Sequence, residues 1–223
     1  MSFYALIPAK LNSKSIPNKN LKKIKNKSLL DITIQEAKKI KEINEVIVSS
    51  ESLIIKDICK KQKISFLKRN KLFSNHNATS AMVINEFIKK KKLKKNDVIV
   101  YLHPTSPLRK APHIREAIKM FKKNNSKNLI SVKKITMNIY KSLTINSGYL
   151  KNIFNEKYSV LNRQNFPSTY VPNGAIYIFL VKNFLKKKYI SHNRGIAYIM
   201  NETDSIDIDE YRDLLNARKI NNK

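Results

Sequence analysis

The sequence predicts an α/β fold, a single domain built on a three-layer, mostly parallel sheet with helices on both faces. Two observations predict it. Short apolar, β-branched runs alternate with stretches of helical periodicity from residue 3 to about residue 132, and chains that alternate in this way build parallel sheets through crossover helices. The polar loops after the strands, at residues 8–20, 49–51 and 103–109, then share the carboxyl edge of the sheet, which is where open α/β sheets hold ligands.

The elements follow in order. Phe3–Ile7 is an apolar run short enough for a buried strand, and Pro8 and Pro17 bracket a segment that cannot be regular helix throughout. Residues 27–41 read as a helix, with Leu30, Ile34 and Ala37 at helical spacing and Ser28 and Asp31 placed as a capping box. Val46–Val48 is a strand, Ser52–Gln62 a helix, Ser65–Leu67 a short strand, and 68–77 an irregular polar loop. Thr79 caps a helix running to about Lys92, and Asp97–Leu102 is a compact strand. Pro112 suits the first turn of the next helix, which continues through Ile114, Ile118 and Phe121 before a strand at Leu129–Val132. Between about 135 and 170 the alternation breaks at turn signals such as Asn146-Ser-Gly148, and this segment reads as an inserted hairpin or subdomain. Gly174–Phe179 and Ala197–Met200 are strands flanking a short basic helix at 184–189, and the tail from Asp209 is a closing helix.

With 223 residues and 42% hydrophobic content, the chain buries a real core. Its single cysteine, Cys59, allows no internal disulfide and fits a reducing compartment. The longest apolar runs are far too short to span a bilayer, and the N-terminus lacks the basic region, apolar core and cleavage site of a signal peptide, so the expected location is cytoplasmic, without a membrane partner. The net charge of +29 would suit a nucleic-acid binder or a protein handling polyanions. Lysine is spread over loops and helix faces alike, as compositional drift would leave it, and no nucleic-acid reader motif interrupts it.

Four stretches carry chemistry. The first loop holds Lys10, Asn12, Ser13 and Lys14, with Lys19 and Asn20 just beyond. Such a density of cationic, hydroxyl and amide donors after a first strand suits phosphate, although the loop has no glycine and is neither a Walker loop nor a dinucleotide fingerprint. The alternative is a solvated basic loop. Residues 202–210 hold five of the chain's 16 acidic residues. In an extended segment Asp207 and Asp209 project to one side while Ile206 and Ile208 turn to the other. Paired carboxylates repel unless a cation sits between them, and hard oxygen ligands beside a phosphate site point to Mg²⁺. The alternative is a helix N-terminus enriched in acids, which Asp209 and Glu210 would serve. His103-Pro-Thr-Ser-Pro-Leu-Arg109 places Thr105, Ser106 and Arg109 in a proline-stiffened loop. The stretch 162–173, whose polar residues include Arg163 and Gln164, leads into an apolar strand, and Gly174 there allows a close approach or a positive φ. Cys59 lies on a predicted core face, and His76, His103, His113 and His192 show no metal-ligand spacing.

Four blocks, Ile7-Pro-Ala-Lys-Leu-Asn-Ser-Lys-Ser-Ile-Pro-Asn-Lys-Asn20, Pro104-Thr-Ser-Pro-Leu-Arg109, Arg163-Gln with Pro172-Asn-Gly-Ala-Ile-Tyr-Ile178, and Ser205-Ile-Asp-Ile-Asp209, stand in the order seen in acylneuraminate cytidylyltransferases, the CMP-sialic acid synthetases. The sequence resembles that family over nearly its whole length. The resemblance implies a Rossmann-like fold that joins CTP to a nine-carbon acidic sugar, with Mg²⁺ as cofactor and a homodimer formed through the segment 135–170. It further implies that Lys10, Asn12, Ser13, Lys14, Asn20, Arg69 and Ser80 bind the nucleotide, that Lys19, Asp207 and Asp209 are catalytic, and that the two aspartates hold the metal. His103, Thr105, Ser106, Lys141, Arg163 and Gln164 would meet the sugar. Asn18-Lys-Asn20 stands where octulosonic-acid relatives carry Gly-Lys-Pro, which places the chain nearer the nonulosonic branch.

Several positions depart from the family pattern. Lys10 stands for arginine, losing the bidentate fork; His76 stands where aspartate is common; His103 replaces glutamine; Val171 replaces arginine. The resemblance places His103 and Val171 around the acceptor sugar, which predicts preference for a sugar other than plain N-acetylneuraminate or acceptance of several. The rival readings are a basic nucleic-acid-binding α/β protein and a catalytically degenerate relative.

Overall fold

The computed structural model describes residues 1–13, 15–75, 77–136 and 139–221, with Arg163 described by its backbone alone. β1 (Phe3–Pro8) leads through a loop and a 3-10 turn (Lys19–Leu21) to a small hairpin, β2 (Lys23–Ile24) and β3 (Lys27–Ser28). There follow α1 (Leu29–Lys38), β4 (Glu45–Ser50), α2 (Leu53–Lys61), β5 (Ser65–Lys68), α3 (Ser80–Lys90), β6 (Val98–Tyr101), α4 (Ala111–Lys123) and β7 (Asn128–Ile135). A second hairpin, β8 (Leu143–Asn146) and β9 (Tyr149–Asn152), precedes β10 (Thr169–Leu180), α5 (Val181–Lys187), β11 (Ile196–Ile199) and α6 (Tyr211–Asn221).

Seven strands form one sheet in the order β11-β7-β10-β6-β1-β4-β5. Every neighbouring pair is parallel except those of β10, which runs antiparallel to both β6 and β7. The period of two in β1 separates the layers. Phe3, Ala5 and Ile7 face a core closed by α1, α2 and α4, through residues such as Ile34, Ile55 and Phe121. Leu6 faces the other side with Ile47 and Ile99, beneath Phe87 of α3 and Phe184 of α5. A third cluster joins Ile16, Ile24 and Leu29 to Ile208 and to Leu214 of α6, so the acidic segment is docked by its isoleucine. Each such side chain contributes roughly 1.5–3 kcal/mol by leaving water.

The helix starts follow their caps. Ser28 and Asp31 form the expected capping box, and Ser52 and Thr79 cap α2 and α3. α1 begins at Leu29 rather than 27 because Lys27 and Ser28 pair with Lys23 and Ile24. α5 starts earlier than expected, at Val181, and ends where Lys188 turns left-handed at φ 64°. Cys59 packs in the core, where burial pushes its thiol up to about 11, so it is no nucleophile. Among the described residues, no helix is long and apolar enough to cross a membrane.

The break in alternation after 135 is a real excursion from the sheet. β8 and β9 form their own two-stranded ladder around Ser147 and Gly148, before β10 returns to pair Thr169 with Ile135. Tyr140 gathers Phe154, Tyr158 and Phe166 at centroid distances of 5.2, 4.9 and 5.9 Å. That aromatic cluster leaves the hairpin's own apolar side chains uncovered: Ile145 is 75% exposed, Leu150 68% and Ile153 54%.

Candidate active site

A cavity of about 300 Å³ opens at the carboxyl edge, between the first loop, the start of α3, the loop after β6 and the acidic segment. Lys10, Ser13, Lys19, Asn20, Arg69, Ser80, His103, Thr105, Asp207 and Asp209 all line it. A larger cavity, about 820 Å³, lies beside Pro107–Pro112, α1 and the β2–β3 hairpin. It holds one carboxylate, Glu36, which already accepts from the Ala111 amide at 2.6 Å and pairs with Lys39. The smaller cavity is the candidate site because cations, donors and two adjacent carboxylates converge there.

The first loop is shaped without glycine. Asn18 takes the left-handed conformation at φ 53°, which asparagine tolerates better than most residues, and so opens the 3-10 turn that carries Lys19. The Leu11 amide donates to Glu51 Oε1 (2.8 Å), and Asn20 Nδ2 donates to the Lys10 carbonyl (2.8 Å), closing the loop on itself and on the end of β4. Lys19 is 7% exposed. Its ammonium donates to the Ile208 and Asp209 carbonyls at 2.8 and 3.1 Å and lies 3.4 Å from Asp209 Oδ1. One lysine therefore ties the first loop to the acidic segment. Arg69 is buried, with Nε on Ser49 Oγ (3.1 Å) and Nη2 on the Ser49 carbonyl (2.6 Å).

In the acidic segment Ile208 is buried and Asp209 exposed, while Asp207 turns inward. Burial and the neighbouring Asp209 raise the Asp207 carboxyl above the usual range, against hydrogen bonding from Thr105 and the nearby Lys19. Asp207 Oδ1 is buried without a partner among the described residues. Gly174 stands against this carboxylate. It adopts φ +74°, and a Cβ built there would stand 2.7 Å from Asp207 Oδ2. The sequence expectation of a close approach at Gly174 is met by this contact.

His103 stands edge-on to Tyr101 (4.9 Å between centroids) and beside Tyr177 (5.8 Å). Enclosure and the Arg109 charge push its imidazole down to about 4, so it is neutral near pH 7. Arg109 is 1% exposed and donates through Nη1 to the His103 and Ala175 carbonyls (3.0 and 2.8 Å), bracing the loop after β6 against β10. A stability effect follows. The unfolded imidazole takes a proton below about 6.5 and the folded one only near 4, so folding loses free energy as pH falls through that window. Wild type should lose about 2 kcal/mol more than His103→Gln between pH 7.5 and 5.0 in urea unfolding; equal losses would show that His103 protonates freely in the folded chain.

Other predicted residues sit elsewhere. Asn12 is exposed in the first loop and is not part of the cavity lining. Ser106 is fully buried beneath the loop, its Oγ without a partner among the described residues. Lys141 and Gln164 are exposed and outside the cavity, with the Lys141 ammonium 5.8 Å from the centre of the Phe166 ring. Val171 pairs with Lys133 in the sheet and does not line the cavity. Lys14, His76 and the Arg163 side chain lie outside the described residues. Tyr101, Thr79 and Phe73 line the cavity without having been singled out in the sequence, where they read only as strand, cap and loop residues.

Comparison with known proteins places this geometry. A family model described as cytidylyltransferase matches residues 4–220. The chain is 29% identical over 215 residues to an N-acylneuraminate cytidylyltransferase of Streptococcus agalactiae, covering 95% of this chain and 51% of that protein. It is 31% identical over 222 residues to an N-acylneuraminate cytidylyltransferase of Escherichia coli, covering 98% of this chain and 52% of the other. It thus spans about half the length of these curated relatives. A pseudaminic acid cytidylyltransferase of Campylobacter jejuni is 26% identical over 217 residues, covering 96% of this chain and 94% of that one. Among solved structures, CMP:2-keto-3-deoxy-manno-octonic acid synthetase complexed with CTP superposes with a TM-score of 0.73 at 12% identity, covering 100% of this chain and 99% of the other, a likeness of fold.

Proposed function

Because the chain belongs to the cytidylyltransferase family, we propose that it activates a nine-carbon acidic sugar with CTP, giving the CMP-sugar and pyrophosphate. The observation that carries the reading is the convergence of Lys10, Lys19, Arg69 and the Asp207–Asp209 pair on one cavity at the carboxyl edge. In the reaction the anomeric hydroxyl oxygen bonds to the α-phosphorus as the bond from that phosphorus to the bridging oxygen of pyrophosphate breaks. The hydroxyl proton is lost to solvent as the new bond forms.

Asp207 and Asp209 fit Mg²⁺. Asp207 offers a buried carboxylate oxygen with no hydrogen bond among the described residues, and Asp209 an exposed one beside it. Among the described residues no set of three His, Cys, Asp or Glu surrounds the point, so phosphate oxygens and water would have to complete the ion's shell. When bound it would neutralise phosphate charge. The protein's own part is positioning: Lys19 keeps the two walls together, and Lys10 presents its charge to the phosphates leaving as pyrophosphate.

The test is pyrophosphate release from CTP against N-acetylneuraminate, legionaminate-type and pseudaminate-type sugars. We expect CTP-selective, chelator-sensitive turnover that favours a sugar other than N-acetylneuraminate or accepts several, an expectation that rests on His103 alone because Val171 does not line the cavity. Release with none of the sugars would overturn the activity, and tenfold preference for N-acetylneuraminate would overturn the sugar assignment.

Lys141 and Gln164 lie away from this chain's own cavity, and the β8–β9 hairpin leaves Ile145 and Leu150 uncovered. Both observations support a two-fold dimer whose inserted segment reaches the partner's site. Light scattering at micromolar concentration should give twice the chain mass, and Ile145→Asp with Leu150→Asp should give monomers; a monomeric wild type would sink this assembly.

A further inference from the structure

We infer that Asn173, through Ser205 and Ser131, is the positioning residue for the Asp207 carboxylate. The inference rests on the reading that Asp207 and Asp209 hold a divalent cation. Between Pro172 and Tyr177 the register of β10 against β7 shifts. Backbone amides in such a break lose their ladder partners and must find others. Here side chains supply them. The Ala175 amide donates to Asn173 Oδ1 at 3.2 Å, and the Ile176 amide donates to Ser131 Oγ at 2.7 Å. Ser131 in turn donates to Asn173 Oδ1 at 2.5 Å. The remaining half of the amide points the other way, Nδ2 donating to Ser205 Oγ at 2.9 Å and lying 3.3 Å from Met200 Sδ.

Asn173, Ser131 and Ser205 are at most 3% exposed, and none lines the cavity. They cannot touch a ligand there, so any effect on chemistry passes through what they hold. Asn173 holds two things at once. One is the irregular turn bearing Gly174, the residue against which the Asp207 carboxylate rests. The other is Ser205, two positions before Asp207 on the acidic segment. The same amide therefore sets both the wall and the approach of the chain that must fit it. Thr105 and Lys19 act on the segment from the cavity side; Asn173 is its anchor from the core side.

The experiment uses Tb³⁺ as a hard-cation probe of the nucleotide-free protein, its luminescence sensitised by Tyr101 and Tyr177, together with the Mg²⁺ concentration giving half-maximal turnover at saturating CTP. Asn173→Ala cuts both links; Ser205→Ala cuts only the link to the acidic segment and is the milder change should the first variant fail to fold. Ile118→Val, a core change that removes none of these hydrogen bonds, controls for lost stability alone. Both site variants should raise the half-saturating Tb³⁺ and Mg²⁺ at least fivefold while KM for CTP moves less. The double variant should be no worse than Asn173→Ala, since one chain of bonds is broken either way. Tb³⁺ and Mg²⁺ dependence within twofold of wild type, with melting lowered as in Ile118→Val, would reduce Asn173 to a packing residue and overturn the inference. A wild type that shows no sensitised Tb³⁺ signal and turns over in chelator would instead overturn the metal reading, and the inference with it.

Discussion

Asp207→Asn is expected to lower kcat by about a thousandfold or more while leaving the protein at least as stable. A thousandfold corresponds to about 4 kcal/mol of transition-state stabilisation, in keeping with loss of a hard ligand and of half the local negative charge. The stability side follows from the site's geometry. Asp207 carries a buried oxygen without a partner among the described residues, beside a second carboxylate, and burial already raises its pKa. An isosteric neutral amide relieves that repulsion and desolvation, so the melting temperature should hold or rise by a few degrees. Asp209→Asn should cost less, about a hundredfold, because its carboxylate is exposed and its backbone carbonyl still receives Lys19. Activity within tenfold of wild type in Asp207→Asn, or lost activity accompanied by lost folding, would show that the carboxylate is structural rather than catalytic.

Much of the frame is legible in the residues themselves. The alternation in Phe3–Ile7, the caps at Ser28, Ser52 and Thr79 and the break after 135 are local signals, and each resolves locally. The antiparallel course of β10 is not local: its inward residues look the same in either direction, and what sets the direction is that β10 starts at the edge where β7 ends, Thr169 pairing with Ile135, with no crossover helix between them to carry the chain back. The β2–β3 hairpin hides for another reason, since two-residue strands containing lysine carry no periodicity. At the site, the spacing of Asp207 and Asp209 is visible because period two governs any extended segment. The unequal burial of the two is invisible, because it depends on Gly174 and Thr105 arriving from elsewhere. Lys19 is the sharpest case. Its partners are carbonyls some 190 positions away, and a carbonyl has no sequence signature.

Gly174→Ala tests the contact that the sequence could suggest but not complete. Two separate costs attend the methyl group. The first is conformational: φ +74° is a left-handed backbone angle, and an L-residue there loses roughly 1–2 kcal/mol. The second is steric and specific to this site, a new atom 2.7 Å from Asp207 Oδ2 where ordinary contact needs more than 3.4 Å. The turn cannot easily recede, because Asn173 and Ser131 hold its amides from behind. The carboxylate is therefore the part that moves. A misplacement of about 1 Å costs on the order of a hundredfold in rate, and kcat should fall by that much with KM for CTP less affected. Gly148→Ala separates the two costs. Gly148 has a similar angle, φ +85°, but nothing within 4 Å of its added Cβ. That variant should lose stability to about the same degree and, while light scattering shows it still dimeric, keep its turnover. If Gly174→Ala retains kcat within threefold, or if Gly148→Ala loses as much, the approach of Gly174 to Asp207 does not set the position of the carboxylate.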